Sequence, residues 1–258
     1  MSARSRPSSA TRGASQTIRI GCAGWTIPAA HAEFFGAGDS VLARYATRFN
    51  AVEINSSFHR PHQAGTYERW AESVPANFLF SVKLSKSITH HMRLQRPALA
   101  LDRFVDEVAG LGGKLGGLLV QLPPSLAFDA RVVNNFFAMM RRRFGAAIAC
   151  EARHASWFTQ APEAIWKRFQ VSRVAADPAL CEQATQPGGH GAWRYWRWHG
   201  SPRMYYSAYD DATIADLARH VRATAMPDRP AWLMFDNTAH GHSVSDALRL
   251  QAKLNETA

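Results

Sequence analysis

The feature that most constrains this chain is a regular alternation of short, β-rich apolar runs with longer amphipathic segments. Eight runs have the composition of buried strands, at residues 18–21, 51–54, 78–83, 118–121, 148–151, 171–175, 193–198 and 232–235. No linker rich in Pro, Gly and Ser divides them into two halves. Alternation of this kind predicts parallel βαβ units.

The amphipathic segments carry apolar residues at helical spacing. In the strongest of them, apolar side chains recur every three or four positions across residues 132–144, as on one face of a helix. Asp129 is predicted to cap this helix, and Asp39 or Ser40 to cap the helix that precedes the second strand.

Eight strands with intervening helices in 258 residues favour a single-domain TIM-type (β/α)8 barrel over an open, doubly wound sheet. The turn after the first strand, Gly21 to Trp25, lacks the glycine fingerprint of dinucleotide binding, which argues against a nucleotide-cofactor oxidoreductase. Residues 177–192 are rich in Pro, Gly and polar residues, so we expect an irregular connection between strands six and seven.

Composition places the chain among globular proteins without membrane spans. Its residues are 47% hydrophobic and 19% charged, and no apolar stretch is long enough for a bilayer. We expect residues 1–16 to be a disordered basic leader and residues 17–258 to be the barrel domain. The three cysteines are far apart, so neither a disulfide framework nor a zinc site is predicted, and a cytoplasmic location is expected.

The formal net charge of +10 bears on the kind of ligand. A positive field concentrates anions, so it favours a small anionic or phosphorylated ligand, or nucleic acid, although solubility alone would explain it equally well. The densest basic cluster, residues 141–143, ends a helical segment, where cations suit the helix dipole.

Polar residues follow nearly every predicted strand, at the barrel end where active sites lie. They are Glu53, Asn55, Lys83, Gln121, Glu151, Arg153, His154, Asp177, Arg197, His199, Asp236 and Asn237. Desolvating so many polar groups is costly, so they predict a shared network, a ligand or both. A layer of mutually neutralised ion pairs is the structural alternative.

The leading hypothesis is an enzyme that performs acid–base chemistry on an anionic, phosphate-bearing substrate. Glu53 or Glu151 is predicted as the general base, and His199 or His154 as the proton carrier. The predicted substrate-binding residues are Trp25, Asn55, Lys83, Gln121, Arg153, Arg197, Asp236 and Asn237. Trp157 is also placed to line a pocket.

Two alternatives stay open from the residues alone. Oxygen and imidazole atoms could hold a divalent metal ion, the one cofactor considered, with the candidate ligands Glu53, Glu151, Asp177, His199 and Asp236. A nucleic-acid-binding or protein-binding barrel without catalysis would instead use a basic face and keep the strand-end acids for structure. The oligomeric state is not indicated.

Several motifs, in order along the chain, resemble those of the DUF72 family, also called YecE-like proteins. They are Gly-x-x-Gly-Trp at 21–25, Glu-Ile-Asn-Ser-Ser-Phe at 53–58, Lys83 with Ile-Thr-His at 88–90, Gln-Leu-Pro-Pro-Ser at 121–125, Glu-x-Arg-His at 151–154, His-Gly at 199–200 and Phe-x-Asn at 235–237. The resemblance implies a TIM-type barrel of cytoplasmic, mostly microbial distribution, without a settled biochemical activity.

Overall fold

The computed structural model describes residues 18–224, 226 and 229–256. The predicted leader, residues 1–16, lies outside them. The described strands are β1 Ile18–Cys22, β2 Ala51–Ile54, β3 Leu79–Lys83, β4 Leu115–Gln121, β5 Ala147–Glu151, β6 Val171–Arg173, β7 Ala175–Asp177, β8 Gly188–Gly189, β9 Arg194–Trp198 and β10 Ala231–Phe235.

Helices alternate with these strands, as the sequence predicts. They are α1 Val41–Tyr45, α2 Ser56–His59, α3 Ala64–Glu72, α4 Ala98–Val108, α5 Ala130–Arg143, α6 Gln160–Arg168, α7 Asp211–Thr224 and α8 His242–Asn255. Shorter 3-10 or π-helical turns span Ala29–Phe34, Ser87–His91, Ala109–Lys114, Ala155–Trp157 and Glu182–Thr185.

The predicted caps are confirmed at two helix starts. The Ser40 hydroxyl accepts a hydrogen bond from the Ala43 backbone N–H at 3.0 Å, which caps α1. The Asp129 carboxylate accepts one from the Val132 N–H at 3.0 Å, which caps α5. Both bonds satisfy a donor that has no partner within its own helix.

The strands form two sheets, in the orders β1-β10-β9-β7 and β2-β3-β4-β5-β6-β8. Every pair is parallel except the short antiparallel pair of β6 with β8. The predicted parallel α/β architecture is confirmed in this coarser form, whereas one continuous closed ring of strands is not. The predicted irregular connection contains one short 3-10 turn and β8.

Alternation along the strands separates two groups of buried apolar side chains. Outward-facing residues such as Val52 and Val82 pack against the helices in the larger group. A smaller inner group contains Ala51, Leu119, Ala149, Val174, Trp193, Tyr195, Trp232 and Met234. Because strand side chains repeat every two positions, the next inner residues toward the carboxyl ends share one hollow. Those residues include Glu53, Gln121, Glu151, Arg197 and Asp236.

No helix among the described residues is long and apolar enough to cross a bilayer.

Candidate active site at the carboxyl ends of the strands

A single guanidinium lies at the centre of the site. Arg197, on β9, is 0% exposed and donates through Nε and Nη2 to the two carboxylate oxygens of Glu53, at 2.9 and 2.7 Å. It also donates through Nη1 to Glu151 at 2.6 Å and through Nη2 to Asp236 at 2.8 Å. Burial would lower the pKa of Arg197, but the three carboxylates raise it well above its ordinary value.

Glu53 is sealed beneath this guanidinium. It is 0% exposed, and the Tyr195 hydroxyl donates to its Oε2 at 2.9 Å. The Ser81 hydroxyl lies 2.7 Å from the same phenol oxygen. Both carboxylate oxygens of Glu53 therefore have buried protein partners, and this side chain is an anchor for Arg197.

His199 bridges two of the three carboxylates. Its Nδ1 lies 3.0 Å from Oδ2 of Asp236, and its Nε2 lies 3.1 Å from Oε1 of Glu151. Burial is the largest effect and lowers the pKa of His199, but Glu151 and Asp236 together outweigh it, so the net pKa is raised. The protonated imidazolium can donate to both carboxylates at once.

Arg153 joins the cluster from the loop after β5. Its Nε donates to Oε1 of Glu151 at 2.7 Å, and its Nη1 donates to the Tyr205 hydroxyl at 3.2 Å. Burial would raise the pKa of Glu151, but Arg153 and Arg197 hold it well below its usual range. Glu151 is thus ionised, and both of its carboxylate oxygens have hydrogen-bond partners.

Lys83 differs from the other cations of the cluster. It is buried at the end of β3, and its Nζ lies 4.2 Å from the centroid of the Phe58 ring. Within the described part of the chain, no hydrogen-bond acceptor or carboxylate lies close enough to pair with this ammonium group. Burial, together with the nearby Arg197, lowers the pKa of Lys83 to about 8.

A cavity of about 360 Å³ opens above the ion cluster. Four predicted substrate-binding residues line it, namely Asn55, Lys83, Gln121 and Asp236. Tyr205 and His90 also face it. The sequence indicated His90 only as part of the family motif at 88–90 and did not indicate Tyr205. Burial, reinforced by the Lys83 charge, lowers the pKa of His90 to about 4, so this imidazole is neutral at pH 7.

Asp236 is the carboxylate that reaches this cavity. Its Oδ2 accepts from Arg197 and His199, whereas its Oδ1 has a longer 3.4 Å contact with Nδ2 of Asn55. Burial would raise the pKa of Asp236, but Arg197 and His199 keep it below its ordinary value. The Oδ1 of Asn55 is itself buried without a hydrogen-bond partner.

The loop after β3 carries backbone strain beside the cavity. Arg93, Leu94 and Arg96 have φ values of 49°, 65° and 49°, in the left-handed region that non-glycine residues rarely adopt. The Arg93 guanidinium holds the loop by donating to the hydroxyl and backbone carbonyl of Ser125 at 3.1 and 2.8 Å. Strain of this kind costs about 1–3 kcal/mol per residue and is concentrated at functional sites.

Two predicted site residues have other contacts instead of facing the cavity. Nδ1 of His154 accepts from the Ser156 N–H at 3.2 Å and caps the Ala155–Trp157 turn. The Asn237 amide donates to the Asp246 carboxylate at 2.7 Å. Local sequence could not distinguish these partners, because both residues directly follow a strand, like the residues that do face the cavity.

The two tryptophans expected to line a pocket are packing residues. Trp25 lies edge to face against Trp70, with ring centroids 5.0 Å apart. Trp157 is fully buried, and its indole N–H donates to the Leu126 carbonyl at 2.8 Å. Neither ring is part of the cavity wall.

The candidate metal ligands do not converge as a metal site. In the described residues, no three His, Cys, Asp or Glu side chains are arranged to hold a metal ion. Asp177 accepts a hydrogen bond from the Tyr209 hydroxyl at 2.8 Å. The remaining candidates are Glu53, Glu151, His199 and Asp236, and they pair with Arg197 or with one another.

Three contributors to the site were not identified from the sequence. Tyr195 could have been found, because it lies two positions before Arg197 and therefore on the same face of β9. Phe58 lies in the four-residue helix α2 and Tyr205 in the loop after β9, and neither segment is long enough for a periodicity that predicts which way a side chain points. Tyr205 has a left-handed backbone, with φ at 71°.

Parallel strands alternating with helices, and a buried ion cluster beneath a cavity at the strand ends, define an α/β protein with its candidate site at the carboxyl edge of its sheets. The chain belongs to a family described as "Protein of unknown function DUF72", whose model matches residues 19–258. The sequence resemblance to that family is therefore confirmed.

Curated relatives carry names without an assigned activity. The UPF0759 protein YunF of Bacillus subtilis (strain 168) is 22% identical over 274 aligned residues, which cover 90% of this chain and 93% of that protein. The UPF0759 protein YecE of Escherichia coli (strain K12) is 24% identical over 147 residues, which cover 57% of this chain and 52% of that protein.

Solved structures share the fold. A DUF72 family protein from Enterococcus faecalis V583 superposes with a TM-score of 0.77 at 22% identity, covering 93% of this chain and 96% of that one. A DUF72 family protein from Thermotoga maritima MSB8 gives 0.77 at 19% identity, covering 93% and 100%. At these identities the similarity shows a shared fold, so the chemistry has to be inferred from the residues of the site.

Proposed function

We propose that this protein is an enzyme that performs acid–base chemistry on an anionic, phosphate-bearing substrate bound in the cavity above Arg197. The observation that carries the proposal is the charge balance around that cavity. Three buried carboxylates are matched by Arg197, Arg153 and His199. Lys83 is left as a buried cation facing the cavity without a carboxylate partner among the described residues. An anionic ligand would supply the missing charge.

The loops around the cavity also favour an anionic ligand. Residues 55–63, 84–97, 152–159 and 199–209 contain no Asp or Glu. Their cations are Arg60, Lys86, Arg93, Arg96, Arg153 and Arg203. These loops add only positive charge around the Asp236 carboxylate, which raises the local concentration of anions.

Polar atoms without full hydrogen bonding support a bound molecule. Asn55 lines the cavity, and rotation of its amide would turn the buried, unpartnered Oδ1 toward a substrate hydroxyl. The Gln121 amide lines the same cavity and can both donate and accept. Polar groups of this type orient a ligand that a charged group has attracted.

The acid–base role is best assigned to Asp236 with His199 behind it. Glu53 and Glu151, which the sequence favoured as bases, have their oxygens engaged below the cavity. Asp236 lines the cavity and contacts His199 through Oδ2, whereas its Oδ1 has the longer contact with Asn55. We therefore propose that Asp236 exchanges a proton with substrate, and that His199 and Glu151 stabilise its changing charge.

We also infer that the strands close into a barrel and that the protein acts in the cytoplasm. A parallel bridge pairs Ala23 with Glu53 between the two sheets. On the other side, Val174 joins β6 to β7 and donates its N–H to the Cys150 carbonyl at 2.9 Å. Closure would place all the strand ends around one mouth. The cytoplasmic location rests on a different observation. The three cysteines are free, which supports a reducing compartment.

Calorimetric titration tests the proposal. We expect wild-type protein to bind inorganic phosphate and glycerol 3-phosphate, and Lys83→Met to weaken binding by about tenfold or more. Because the pKa of Lys83 is lowered to about 8, affinity should fall as the pH rises through that value. Lys253→Met is the matched control, since Lys253 lies on α8 and pairs with Glu256 just beyond that helix, away from the cavity. Equal affinities of the two variants, or no binding by wild type, would contradict the proposal.

The basic mouth also supports nucleic-acid binding without catalysis as a second candidate. The cluster at residues 141–143 is a poor candidate for such a surface, because Arg141 donates to three backbone carbonyls and Arg143 pairs with Asp102 at 2.6 Å. Arg60 and Arg203 are exposed in acid-free loops. Fluorescence anisotropy with a single-stranded RNA would show steeply salt-dependent binding that Arg60→Ala and Arg203→Ala reduce. Salt-independent or absent binding would exclude this candidate.

A further inference from the structure

We propose that Lys83 is a nucleophile that forms an imine with the carbonyl carbon of an aldehyde or ketone that also carries the anionic group. This inference rests on the proposed function, because the anionic group is what brings the substrate into the cavity. It assigns a substrate class, phosphorylated carbonyl compounds, which the charge balance alone does not specify.

The choice of lysine at this position is the first argument. The chain contains five lysines and twenty-five arginines, and the other cations of the ion cluster are two arginines and a histidine. Lys83 is the buried lysine of the five. An arginine would hold an anion equally well or better, but it cannot lose its proton to become a nucleophile.

The second argument is that the amine is free to react. The three nearby carboxylates are committed to Arg197, and the Lys83 Nζ lies against the Phe58 ring without a hydrogen-bond acceptor among the described residues. Burial lowers the pKa of Lys83 to about 8, so a useful fraction of neutral amine exists near pH 7 to 8. A lysine kept only for its charge would be better placed in an ion pair.

The third argument is that the cavity holds the groups needed for the next steps. Asp236, Gln121 and the Tyr205 hydroxyl line it together with Lys83. Lys86, on the strained loop after β3, is a cation at the same cavity that can receive the anionic group. The side chains thus provide a nucleophile, a carboxylate, hydrogen-bonding groups and a second positive charge.

The chemical step balances without another reactant. The neutral Nζ forms a bond to the carbonyl carbon, and the π electrons move to oxygen, which takes up a proton from the amine to give a carbinolamine. That hydroxyl leaves with the second amine proton as water, and the C=N bond forms. A proton taken up from solvent by the imine nitrogen makes the hydrogens on the adjacent carbon acidic, and Asp236 is the carboxylate in the cavity lining that can accept one.

Reductive trapping tests the inference on the full-length wild-type protein. The probe is pyridoxal 5′-phosphate, an aldehyde that carries a phosphate, followed by borohydride reduction and peptide mass spectrometry. We expect the Lys83 peptide to be modified at least about tenfold faster than those of Lys86, Lys114, Lys167 and Lys253, with a rate that rises through pH 8. Modification of the exposed lysines with Lys83 unmodified would overturn the inference.

Paired measurements separate this inference from the proposed function. 5′-Deoxypyridoxal, which lacks the phosphate and cannot cyclise, should modify Lys83 more slowly, and inorganic phosphate should slow the reaction with pyridoxal 5′-phosphate. Phosphate binding that depends on Lys83, without any Lys83 adduct, would refute the nucleophile and leave the anion site standing. Equal labelling by the two aldehydes, unaffected by phosphate, would support the nucleophile and refute the anionic substrate. Because the site is mapped on wild-type protein, folding of a variant does not decide the result.

Discussion

The two ends of the same strands use arginine in different ways. At the carboxyl ends, Arg197 is fully buried and holds three carboxylates under a cavity of about 360 Å³. At the amino ends, Arg19 and Arg141 line a hollow of about 420 Å³. Arg141 donates to three backbone carbonyls at 2.6, 2.7 and 2.7 Å, and Arg19 donates to two. The larger hollow is therefore not the better candidate for chemistry.

The partners of these cations explain the difference. Backbone carbonyls are neutral acceptors, so the amino-end arginines tie together the loops that enter the strands. Between those loops the aromatic rings of Trp193 and Trp232 pack at 5.4 Å and fill the inner space. At the carboxyl ends the inner residues are ionisable. In the described structure, the amine of Lys83 has no carboxylate within ion-pair distance. The amino ends therefore contribute to stability, whereas the carboxyl ends keep a cation, Lys83, that is not neutralised by an ion pair.

The largest effect is expected from removing the central cation. Arg197→Met leaves three buried carboxylates without their shared partner, so we expect the free energy of unfolding to fall by about 3–5 kcal/mol. Arg141→Met removes hydrogen bonds to neutral carbonyls at the opposite end and should cost about 1–2 kcal/mol. Urea denaturation of both variants measures the contrast. Equal losses would show that the two arginines play the same structural role.

An intermediate effect is expected at the aromatic end. A Cβ added to Gly117 would lie 2.6 Å from the Trp193 ring, which must then shift. We expect Gly117→Ala to lower the free energy of unfolding by about 1–3 kcal/mol through overpacking. Gly145→Ala is the control, since no atom lies within 4 Å of a Cβ there. Thermal unfolding compares the two variants. If Gly117→Ala is as stable as the wild type, the aromatic packing is loose.

A smaller, pH-dependent effect is expected from His199. Its pKa is raised in the folded protein because Glu151 and Asp236 together outweigh the effect of burial. Its protonation therefore stabilises the fold fully below the unfolded value of 6.5, and this contribution is lost as the pH rises through the folded pKa. The gap in unfolding free energy between wild type and His199→Gln should shrink from pH 6 to pH 9. A gap that stays constant over this pH range would show that the folded protein does not hold His199 in its protonated form.

Much of the strand-end cluster followed from sequence because the rule behind it is local. Runs such as 51–54 and 148–151 predict strands, and the residues that end parallel strands meet at one edge. Glu53, Glu151 and Arg197 were therefore expected to lie together, and the structure places them in contact. The separate role of each residue in the cluster was not predictable, since each is simply an ionisable residue at the end of an apolar run.

The sequence by itself determined the alternating architecture, two helix caps and the gathering of charge at one end of the strands, because periodicity and capping act over a few residues. Tertiary structure alone decided which charges neutralise one another. Arg197 and Glu53 are 144 positions apart, and their pairing is what seals Glu53 and leaves Asp236 and Lys83 facing the cavity. A local pattern cannot report such a choice, because the strength of an ion pair depends on burial and on the competing partners that only the folded chain brings together.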